Sequence, residues 1–479
     1  MYSNRSGRPL AAAVRWRPQL LAVAIIAAIP SAHAQANADE TLRARVAALE
    51  ARLGLTPGDP VDGTSLDQRL RIIERRLELQ DEASRARAAS ATQATLDAGK
   101  GLVIKAPGEL ELKLRGVVQA DFRHFNDGQA NDGFLFRRVR PTLEGGWGPL
   151  VAFRLTPEFA GDSASLVDAY IDLKFDPRAT LRIGKVKGPV GLERMQGANA
   201  LAFVERGLPT ELAPNRDIGV QLQGDVAGKA LHYTVGIYNG APDGRDSASS
   251  NPDDAFEFAG RLFWEPFKHA AGDVGTLGVG IAGSIGDKRG VGGNFLPRYR
   301  TPGQQTFFAF AGNVAADGRH RRLAGHGYYY RGPFGVLGEY IASSQAVALT
   351  GGASAGPRGR FEHSAWQLSA GYVLTGEDAG FRGVVPSSSF APGADGWGAF
   401  ELVARYGVLD VDDTAFPLFA DPATAASRLA SWGLGLNWYP SRNLKLAANY
   451  TRAGFDGGAR SGANRADEQV VFARAQLSF

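Results

Sequence analysis

Arginine clusters are the part of this sequence with the clearest chemical potential. Arg137, Arg138 and Arg140 lie together in the sequence FRRVR. Neighbouring residues of a β-strand point to opposite faces, so the first two arginines can share a face only at a bulge. Guanidinium groups are permanent cations whose planar set of donors matches carboxylates and phosphates. The cluster therefore indicates an anion-binding surface.

A second group of basic residues surrounds a long segment rich in small residues. Lys185 and Lys187 end a candidate strand and lead into the segment 188–216. This segment carries three arginines and three glutamates: Arg194, Arg206, Arg216, Glu193, Glu205 and Glu211. A loop of this kind can fold into a pore, where rings of arginine or lysine attract anions and reject cations. The alternative is that the charges are solvated or that the glutamates neutralise the arginines.

Two motifs typical of enzymes occur, but neither has the surroundings that its chemistry needs. The residues GVGIAG at 278–283 match a nucleotide-binding fingerprint, yet they lie within a strand pattern that no βαβ unit surrounds. The residues GASAG at 352–356 match a nucleophile elbow, yet no helix follows them. The chain has no cysteine, and its seven histidines are scattered. We therefore predict no enzymatic activity, no metal site and no cofactor.

The overall charge of the chain is close to balanced. Its 479 residues include 53 basic and 49 acidic side chains, which gives a net charge of +4. Domains that bind nucleic acids are strongly basic, so we predict no nucleic-acid partner. Any preference for anions must therefore come from local clusters of basic side chains.

From residue 110 to residue 479, apolar and polar side chains alternate. Sixteen runs have this period of two, which is the pattern of β-strands with one apolar and one polar face. The even number, the long polar faces and the alternation of short and long connections predict a mainly β protein. Its fold class is a 16-stranded antiparallel transmembrane β-barrel of the Gram-negative outer membrane. An equally apolar run at 306–314 is assigned to a loop, and we expect the long connections 188–216, 287–320 and 376–396 outside the membrane or inside the lumen.

The N-terminal residues predict a secretory signal peptide over 1–34. Four arginines precede the apolar run LLAVAIIAAI at 20–29, and the sequence AHA at 32–34 fits the cleavage rule of small residues. A helix needs about 20 apolar residues to span a bilayer, and this run is half as long. We expect the mature chain to begin at Gln35.

The segment 35–96 has the apolar spacing of helices. Apolar residues recur at intervals of four and three in two blocks: Leu42, Val46, Leu49 and Leu53, then Leu66, Leu70, Ile73 and Leu77. This spacing predicts a short α-helical coiled coil in the periplasm, interrupted by the helix-breaking sequence TPGDP at 56–60. Either the two blocks pack as an intrachain hairpin or identical chains associate. Residues 39–96 could also bind a periplasmic or cell-wall partner, and we expect a linker over 97–109.

Several segments of the barrel region are similar to a known family. They are FRRVRPTLEG (136–145), IGKVKGPVGLER (183–194), FVERGLPTEL (203–212), DIGVQLQG (217–224), WQLSAGYVLTGE (366–377) and LGLNWYPSRNLKLAANY (434–450). From about Leu110 to Phe479 the chain resembles the phosphate-selective porins of the O/P type. The resemblance implies a homotrimer of 16-stranded channels, each with a constriction loop, 188–216, after the fifth strand.

The resemblance also implies which residues would bind anions. Arg137 and Arg138 match the paired arginines of the family, and Arg206 matches the arginine of its Glu-Arg pair. Arg194 takes the place of a lysine found in the phosphate-specific members. The expected residues of the constriction and of the approach to it are Arg137, Arg138, Arg194, Arg206, Lys185, Lys187, Arg298, Arg300 and Asp168.

These expectations describe a passive outer-membrane channel for small anions, in particular phosphate and phosphate-containing anions. Two positions depart from the family pattern: Val117 stands where specific members have an arginine, and Val167, beside Asp168, where they have an acid. The alternatives are a general diffusion porin of weak selectivity and a structural barrel that tethers the envelope through its N-terminal coiled coil. The expected partners are outer-membrane lipids, small anions and two further copies of the chain.

Overall fold

The computed structural model describes residues 32–52, 66–97, 99, 101–126, 130–271, 273–351 and 356–479. The chain divides into two compact units, Met1–Ser90 and Ala91–Phe479. Most of the predicted signal peptide, the sequence TPGDP and residues 352–355 of the second enzyme-like motif lie outside the described residues.

The N-terminal unit contains two helices, α1 (Ala32–Arg52) and α2 (Leu66–Ser90). Val46 of α1 and Ile73 of α2 are buried. The Nε of Arg69 donates a hydrogen bond to Oε1 of Glu50 at 2.9 Å, which links the two helices. Other apolar side chains of the two helices are exposed: Leu42, Leu49, Ile72, Leu77 and Leu79. Within the described parts of the chain, no helix has the length and apolar character needed to cross a membrane.

The second unit is built from β-strands. These are β1 (Gln93–Asp97), β2 (Gly101–Ala106), β3 (Leu110–Phe125), β4 (Gly133–Trp147), β5 (Val151–Glu158), β6 (Ser165–Asp176), β7 (Ala179–Val186), β8 (Asp217–Val226), β9 (Leu231–Tyr238), β10 (Glu257–Trp264), β11 (Thr276–Val291), β12 (Arg298–Arg300), β13 (Thr306–Ala309), β14 (Val314–Arg331), β15 (Phe334–Leu349), β16 (Arg358–Val373), β17 (Ala399–Asp410), β18 (Ala426–Tyr439), β19 (Leu444–Gly457) and β20 (Glu468–Ser478).

Sixteen of these strands, β3 to β11 and β14 to β20, form a closed antiparallel barrel. The barrel closes where β20 pairs with β3, from Val470 opposite Phe125 to Ser478 opposite Val117. Side chains alternate as the sequence predicts: Ile183 of β7 is exposed on the outer wall, whereas its neighbour Arg182 pairs with Asp172 inside. The predicted 16-stranded barrel is therefore confirmed.

The run at 306–314 lies in a loop as predicted, except for its last residue, Val314, which begins β14. The first residues of the run form β13, which pairs only with β12 in a separate two-stranded sheet between β11 and β14. The loop itself is shorter than the range 287–320, because β11 extends to Val291 and β14 begins at Val314. Opposite charges such as Asp287 and Arg319 face each other in these extensions and continue the ladder.

The range 97–109, for which the sequence predicts a linker, contains β2 in antiparallel pairing with β3. Strand β20 ends opposite Val117, so the first residues of β3 have no partner from β20. Strand β2 supplies it, with Leu102 opposite Leu114 and Ala106 opposite Leu110. Strand β1 then pairs with β2, so the hairpin extends the sheet beyond the closed barrel.

One end of the barrel carries most of the short connections, and we call it the short-turn end. The connection 374–398 joins β16 to β17 at this end, so of the two positions expected for 376–396 the one among the outer loops is wrong. The direction of the strands decides this, since successive antiparallel strands alternate between the two ends. Contact with the loop 187–216 in the lumen agrees with the other position, since Gln196 Nε2 donates to Phe381 O at 2.7 Å. Phe390 N donates to Pro440 O at 2.7 Å, which fixes the connection to the neighbouring turn.

Gly184 of β7 provides a test of this architecture. Its φ is +131°, and an added Cβ would lie 2.2 Å from the carbonyl oxygen of Ala169 on β6. We expect Gly184→Ala to destabilise the barrel by at least about 2 kcal/mol, because it combines backbone strain with a clash against backbone. Gly325→Ala is the matched control, since an added Cβ there meets nothing within 4 Å. Heat-unfolding midpoints of both variants in detergent measure the difference, and equal midpoints would contradict the argument.

Candidate functional site

The loop 187–216, between β7 and β8, crosses the lumen of the barrel. Its backbone carbonyl groups accept hydrogen bonds from inward side chains of strands distant in sequence. The pairs are Gln119 Nε2 to Ala198 O, Gln476 Nε2 to Asn199 O, Lys445 Nζ to Leu201 O, Asn437 Nδ2 to Ala202 O and Arg474 Nη1 to Val204 O, at 2.7 to 3.2 Å. A loop inside a barrel loses contact with water, so these side chains satisfy backbone groups that would otherwise be unpaired.

Local sequence explains the path of this loop. Gly191 has φ +90° and precedes the short helix α3 (Leu192–Met195), whose first backbone N–H donates to Glu339 of β15. Further along, Leu208 and Leu212 are buried in one apolar cluster with Tyr299 of the loop between β11 and β14. The charged residues of 187–216 therefore stand on a backbone that is held on both sides.

A β-bulge directs adjacent arginines of β4 to the same face. Gln119 of β3 is opposite Arg138, whereas the next residue, Ala120, is opposite Phe136, so Arg137 is the extra residue. Phe136 is exposed on the outer wall. Arg137 and Arg138 can therefore both reach the lumen, which meets the condition that the sequence set for a joint role.

Glu205 of the loop binds two arginines of the barrel wall. The Nε and Nη2 of Arg137 donate to its two carboxylate oxygens at 2.5 and 3.0 Å, and Arg123 Nη2 donates to Oε1 at 2.9 Å. Burial alone would raise the pKa of Glu205, but the charge and hydrogen bonds of Arg137 outweigh it and hold the pKa well below the ordinary value. Glu205 therefore remains a carboxylate and neutralises part of the basic cluster.

Three other arginines of the cluster have only neutral acceptors. Arg138 Nη1 donates to Gln119 Oε1 at 2.6 Å, and Arg194 Nη1 to Asn215 Oδ1 at 2.9 Å. Arg206 donates to the backbone oxygens of Glu193 and Gln196 at 3.0 and 2.9 Å. Glu205 forms ion pairs with Arg123 and Arg137. In the described chain, no carboxylate lies within 4.0 Å of the side-chain nitrogens of Arg138, Arg194 or Arg206.

The guanidinium groups of Arg194 and Arg206 are buried close to each other, which disfavours their charged forms. Burial, followed by the charge of Arg194, lowers the pKa of Arg206 to about 9, and burial lowers the pKa of Arg194 to about 10. The carboxylate of Glu193 in the same loop instead accepts a hydrogen bond from Gly207 N at 2.7 Å and lies 3.5 Å from Arg405 Nη1. A buried cation without a counter-charge favours the binding of an anion.

The arginines line a cavity of about 420 Å³, which we call the arginine chamber. Nine arginines contribute to its lining: Arg137, Arg138, Arg140, Arg194, Arg206, Arg216, Arg245, Arg298 and Arg300. Only three of its lining residues are acidic: Glu205, Glu211 and Asp246. Six of the nine residues expected from sequence thus come together here. Arg300 is paired with Glu211 at 3.1 Å, whereas Arg298 is exposed.

A second cavity of about 610 Å³ lies towards the short-turn end. Arg140 and Arg216 line both this cavity and the arginine chamber, so the two cavities adjoin at these residues. We call the two cavities together the passage and the place where they adjoin the junction. Each of the two arginines is held by a carboxylate: Arg140 Nε donates to Glu158 at 2.5 Å, and Arg216 Nε to Asp168 at 3.2 Å. Asp168 and Lys187, two further expected residues, line this second cavity.

Lys185 was expected in the site, but its strand position directs its side chain to the outer wall. It lies opposite Ala169 of β6 and has the strand parity of Ile183, whose side chain is exposed on the outer wall. Lys187 has the same parity but follows the end of the strand, where its Nζ donates to Met195 O and Gln196 O at 3.1 and 2.9 Å. The loop turns inward between the two lysines, which parity alone did not reveal.

Arg140 and Arg216 both lie in the basic segments found in the sequence, but the sequence did not indicate that they line both cavities. Sequence reasoning also missed Arg123 and Arg474, the buried partners of Glu205 and Asp121. Arg123 lies among the alternating polar residues of β3, so the pattern placed it inside without showing that it meets the loop. Such contacts join residues about 80 to 350 positions apart, and local spacing carries no information on them.

A closed 16-stranded barrel with a polar lumen and an inward loop defines a porin-type channel of the outer membrane. The family described as phosphate-selective porin O and P matches residues 112–479, and the chain belongs to this family. The family and the fold are those of a channel rather than an enzyme.

Relatives support this assignment. Porin O of Pseudomonas aeruginosa is 25% identical over 405 residues, which cover 75% of this chain and 88% of Porin O. An uncharacterised protein of Caulobacter vibrioides is 23% identical, over 78% of this chain and 75% of its own length. The outer membrane channel DcaP of Acinetobacter baumannii is similar in fold, with a TM-score of 0.50 and 13% identity over 78% of this chain and 99% of DcaP.

Lys187 should make ion selectivity depend on pH. Burial, and then the charges of Arg216 and Arg206, place the pKa of Lys187 well below its ordinary value. A lysine is charged below its pKa, so we expect the ratio of anion to cation permeability to fall as pH rises through this lowered pKa, well below the pH at which an ordinary lysine loses its charge. Reversal potentials across planar bilayers measure this ratio.

Two variants identify the group responsible. Lys187→Gln should give a lower and flat profile, because the titrating cation is gone. Lys185→Gln, two residues earlier on the outer wall, should keep the profile of the unmodified protein. A Lys187→Gln channel that still loses selectivity with rising pH would refute the assignment.

Proposed function

We propose that this protein is a passive outer-membrane channel for small anions, with preference for phosphate and phosphate-containing anions. The observation that carries the proposal is the arginine chamber, with nine arginines and three acidic residues, and its junction with the second cavity at Arg140 and Arg216. A cavity lined by one sign of charge raises the local concentration of the opposite ion. This enrichment needs no energy source and no conformational step.

The unpaired guanidinium groups give the chamber its preference. Arg138, Arg194 and Arg206 are bound by amide or carbonyl oxygens, so their positive charge is not cancelled locally. An incoming oxyanion replaces lost hydration with charge-assisted hydrogen bonds, which are stronger than neutral ones. Phosphate accepts several such bonds at once from planar donors, whereas chloride cannot match that geometry. Retention of phosphate over chloride follows from this difference.

A general diffusion pore of weak selectivity is the competing function. The bidentate pairing of Arg137 with Glu205 favours it, because it removes one charge from the chamber. Glu193 does not do the same for Arg194 or Arg206, since its carboxylate contacts Gly207 N, Gln367 and Arg405. The balance of these pairs supports the selective channel.

Replacing two of the unpaired arginines tests the proposed function. We expect Arg194→Gln with Arg206→Gln to lower the anion-to-cation permeability ratio several-fold in a KCl gradient. Phosphate should reduce the chloride current of the unmodified channel, and at least about a hundredfold more phosphate should be needed in the variant, because two charge-assisted bonds of about 1.5–3 kcal/mol each are lost. Arg178→Gln is the control, since Arg178 is exposed and paired with Asp176 at 2.8 Å. Cation preference, or a current insensitive to phosphate, would rule out the respective part of the proposal.

We further propose that the protein is a homotrimer, with a cleaved signal peptide and with the N-terminal helices in the periplasm. Strand β3 begins at the short-turn end, and short turns are periplasmic in barrels of this type. Leu42 and Leu49 of α1 and Leu77 of α2 remain exposed beside the buried Val46. Exposed leucines at heptad positions favour association with identical helices as a coiled coil.

Cysteine cross-linking tests this assembly in a chain without cysteine. Leu49→Cys should form disulfides between subunits in intact membranes, because Leu49 is 42% exposed. Ile73→Cys is the contrast, since Ile73 is 3% exposed and should link poorly between chains. Cross-linked products should have the mass of a dimer on denaturing gels, because each chain then has one cysteine and can form only one disulfide. Purely monomeric products from both variants would contradict helix association.

A further inference from the structure

The outer wall of the barrel carries a second group of arginines, at the end opposite the short turns. Strand parity identifies the outward side chains: Leu323 of β14, Tyr340 of β15 and Trp366 of β16 are all exposed. Residues of the same parity nearer the long-loop end are Arg319 and Arg321 on β14, Ala342, Ser344, Ala346 and Ala348 on β15, and Arg358 and Arg360 on β16. Arginines on two strands therefore flank a strand whose outward residues are small.

These strands are in direct register. Arg321 is opposite Ser344 on β15, and Arg360 is opposite Ala346 on the other side of that strand. Neighbouring strands lie about 4.8 Å apart, so β14 and β16 are about 10 Å apart. The small side chains of β15 form the floor of a shallow trough of this width, and the arginines form its two sides. We call this surface the β15 trough.

The charges of the β15 trough are only half balanced. Arg319 pairs with Asp287 at 2.9 Å, and Arg358 pairs with Asp317 at 3.0 Å. In the described chain, Arg321 and Arg360 have no carboxylate within 4.0 Å, and both are exposed. By register, the nearest outward acid is Glu362 for Arg360, two residues along the same strand, and Asp287 for Arg321, diagonally across on β11. Two guanidinium groups on opposite sides of the trough thus have donors available to a ligand.

An apolar surface adjoins the trough on the side of the membrane. Leu323, Tyr340, Trp366 and Leu368 are exposed outward. Leu323 follows Arg321 by two residues on β14, whereas Trp366 follows Arg360 by six residues on β16. Aromatic and aliphatic side chains at this level belong to the lipid-facing band and its girdle. A ligand of the trough would therefore have anionic groups next to hydrocarbon.

We propose that the β15 trough binds the phosphorylated headgroup of an outer-leaflet glycolipid, whose acyl chains lie on the apolar band below. Charge complementarity accounts for the headgroup, since Arg321 and Arg360 lack counter-charges and bind phosphate oxygens as planar donors. The position at the level of the lipid headgroups accounts for the acyl chains. Free phosphate has no part that uses the apolar band, so an isolated anion does not fit the whole surface. This site is separate from the passage, because it lies on the opposite face of the barrel wall.

Lipid retention by the full-length purified protein tests the proposal. Bisphosphorylated lipid A is added to the protein in detergent, and the bound lipid is counted by native mass spectrometry. We expect Arg321→Gln with Arg360→Gln to weaken binding about tenfold, as two charge-assisted contacts are lost. Arg321→Lys with Arg360→Lys, which keeps the charges, should retain most of the binding. Arg428→Gln with Arg452→Gln is the control, because those outward arginines are paired with Asp410 and Asp467 at 2.7 Å.

The other arms separate the alternatives. Dephosphorylated lipid A should bind as weakly as lipid A does to the double glutamine variant. Equal binding of both lipids, or equal loss in the control variant, would overturn the proposal. Displacement of lipid A by millimolar inorganic phosphate would assign the surface to free anions and would also overturn it. Reversal potentials should be the same for all variants, which proves folded barrels and keeps this test independent of the proposed function.

Discussion

The backbone of the loop 187–216 inside the lumen is the constraint on which the rest of the site depends. A barrel of sixteen strands is too wide for its own side chains to fill, so its interior is aqueous unless a loop enters. A loop that enters must have its carbonyl and N–H groups satisfied, because few waters remain beside them. Gln119, Asn437 and Gln476 are buried for this purpose, and each donates to a loop carbonyl. Once the loop is fixed, the positions of Glu205 and Arg206 follow from its path.

The distribution of carboxylates then decides which cations of the passage are available. Glu205 binds Arg123 and Arg137, and Asp168 binds Arg216. These pairs hold the wall and the loop together, since a buried charge without a partner is costly. Because acids are fewer than arginines in the chamber, some guanidinium groups have only neutral acceptors. The same shortage therefore supports both the rigidity of the paired groups and the anion affinity of the unpaired ones.

Periodicity predicted the sixteen strands, since a period of two is a local property that each strand shows by itself. The bulge at Arg137 could be stated only as a condition, because it depends on the register with Gln119 of another strand. The end of the barrel at which 374–398 lies could have been predicted from the sequence. This connection follows the twelfth strand of the barrel, and the connections after even-numbered strands lie at the short-turn end. Its length alone was compatible either with an outer loop or with a segment folded into the lumen. The junction at Arg140 and Arg216 could not be predicted from the sequence, because it depends on how a loop crosses the lumen.

Strand β14 shows why the number of arginines does not by itself indicate function. Its inward Arg322 is fully bound, with Nε on Asp243 at 2.6 Å, Nη1 on Glu257 at 2.7 Å and Nη2 on Ala241 O at 2.6 Å. This arginine joins the loop between β9 and β10 to the wall, and its donors are occupied. Arg321, the next residue back along the strand, faces outward and has no carboxylate of the described chain within 4.0 Å. An arginine attracts a ligand only when its donors and its charge are not already satisfied, so occupancy of the guanidinium group separates structural from binding arginines on both faces of the barrel.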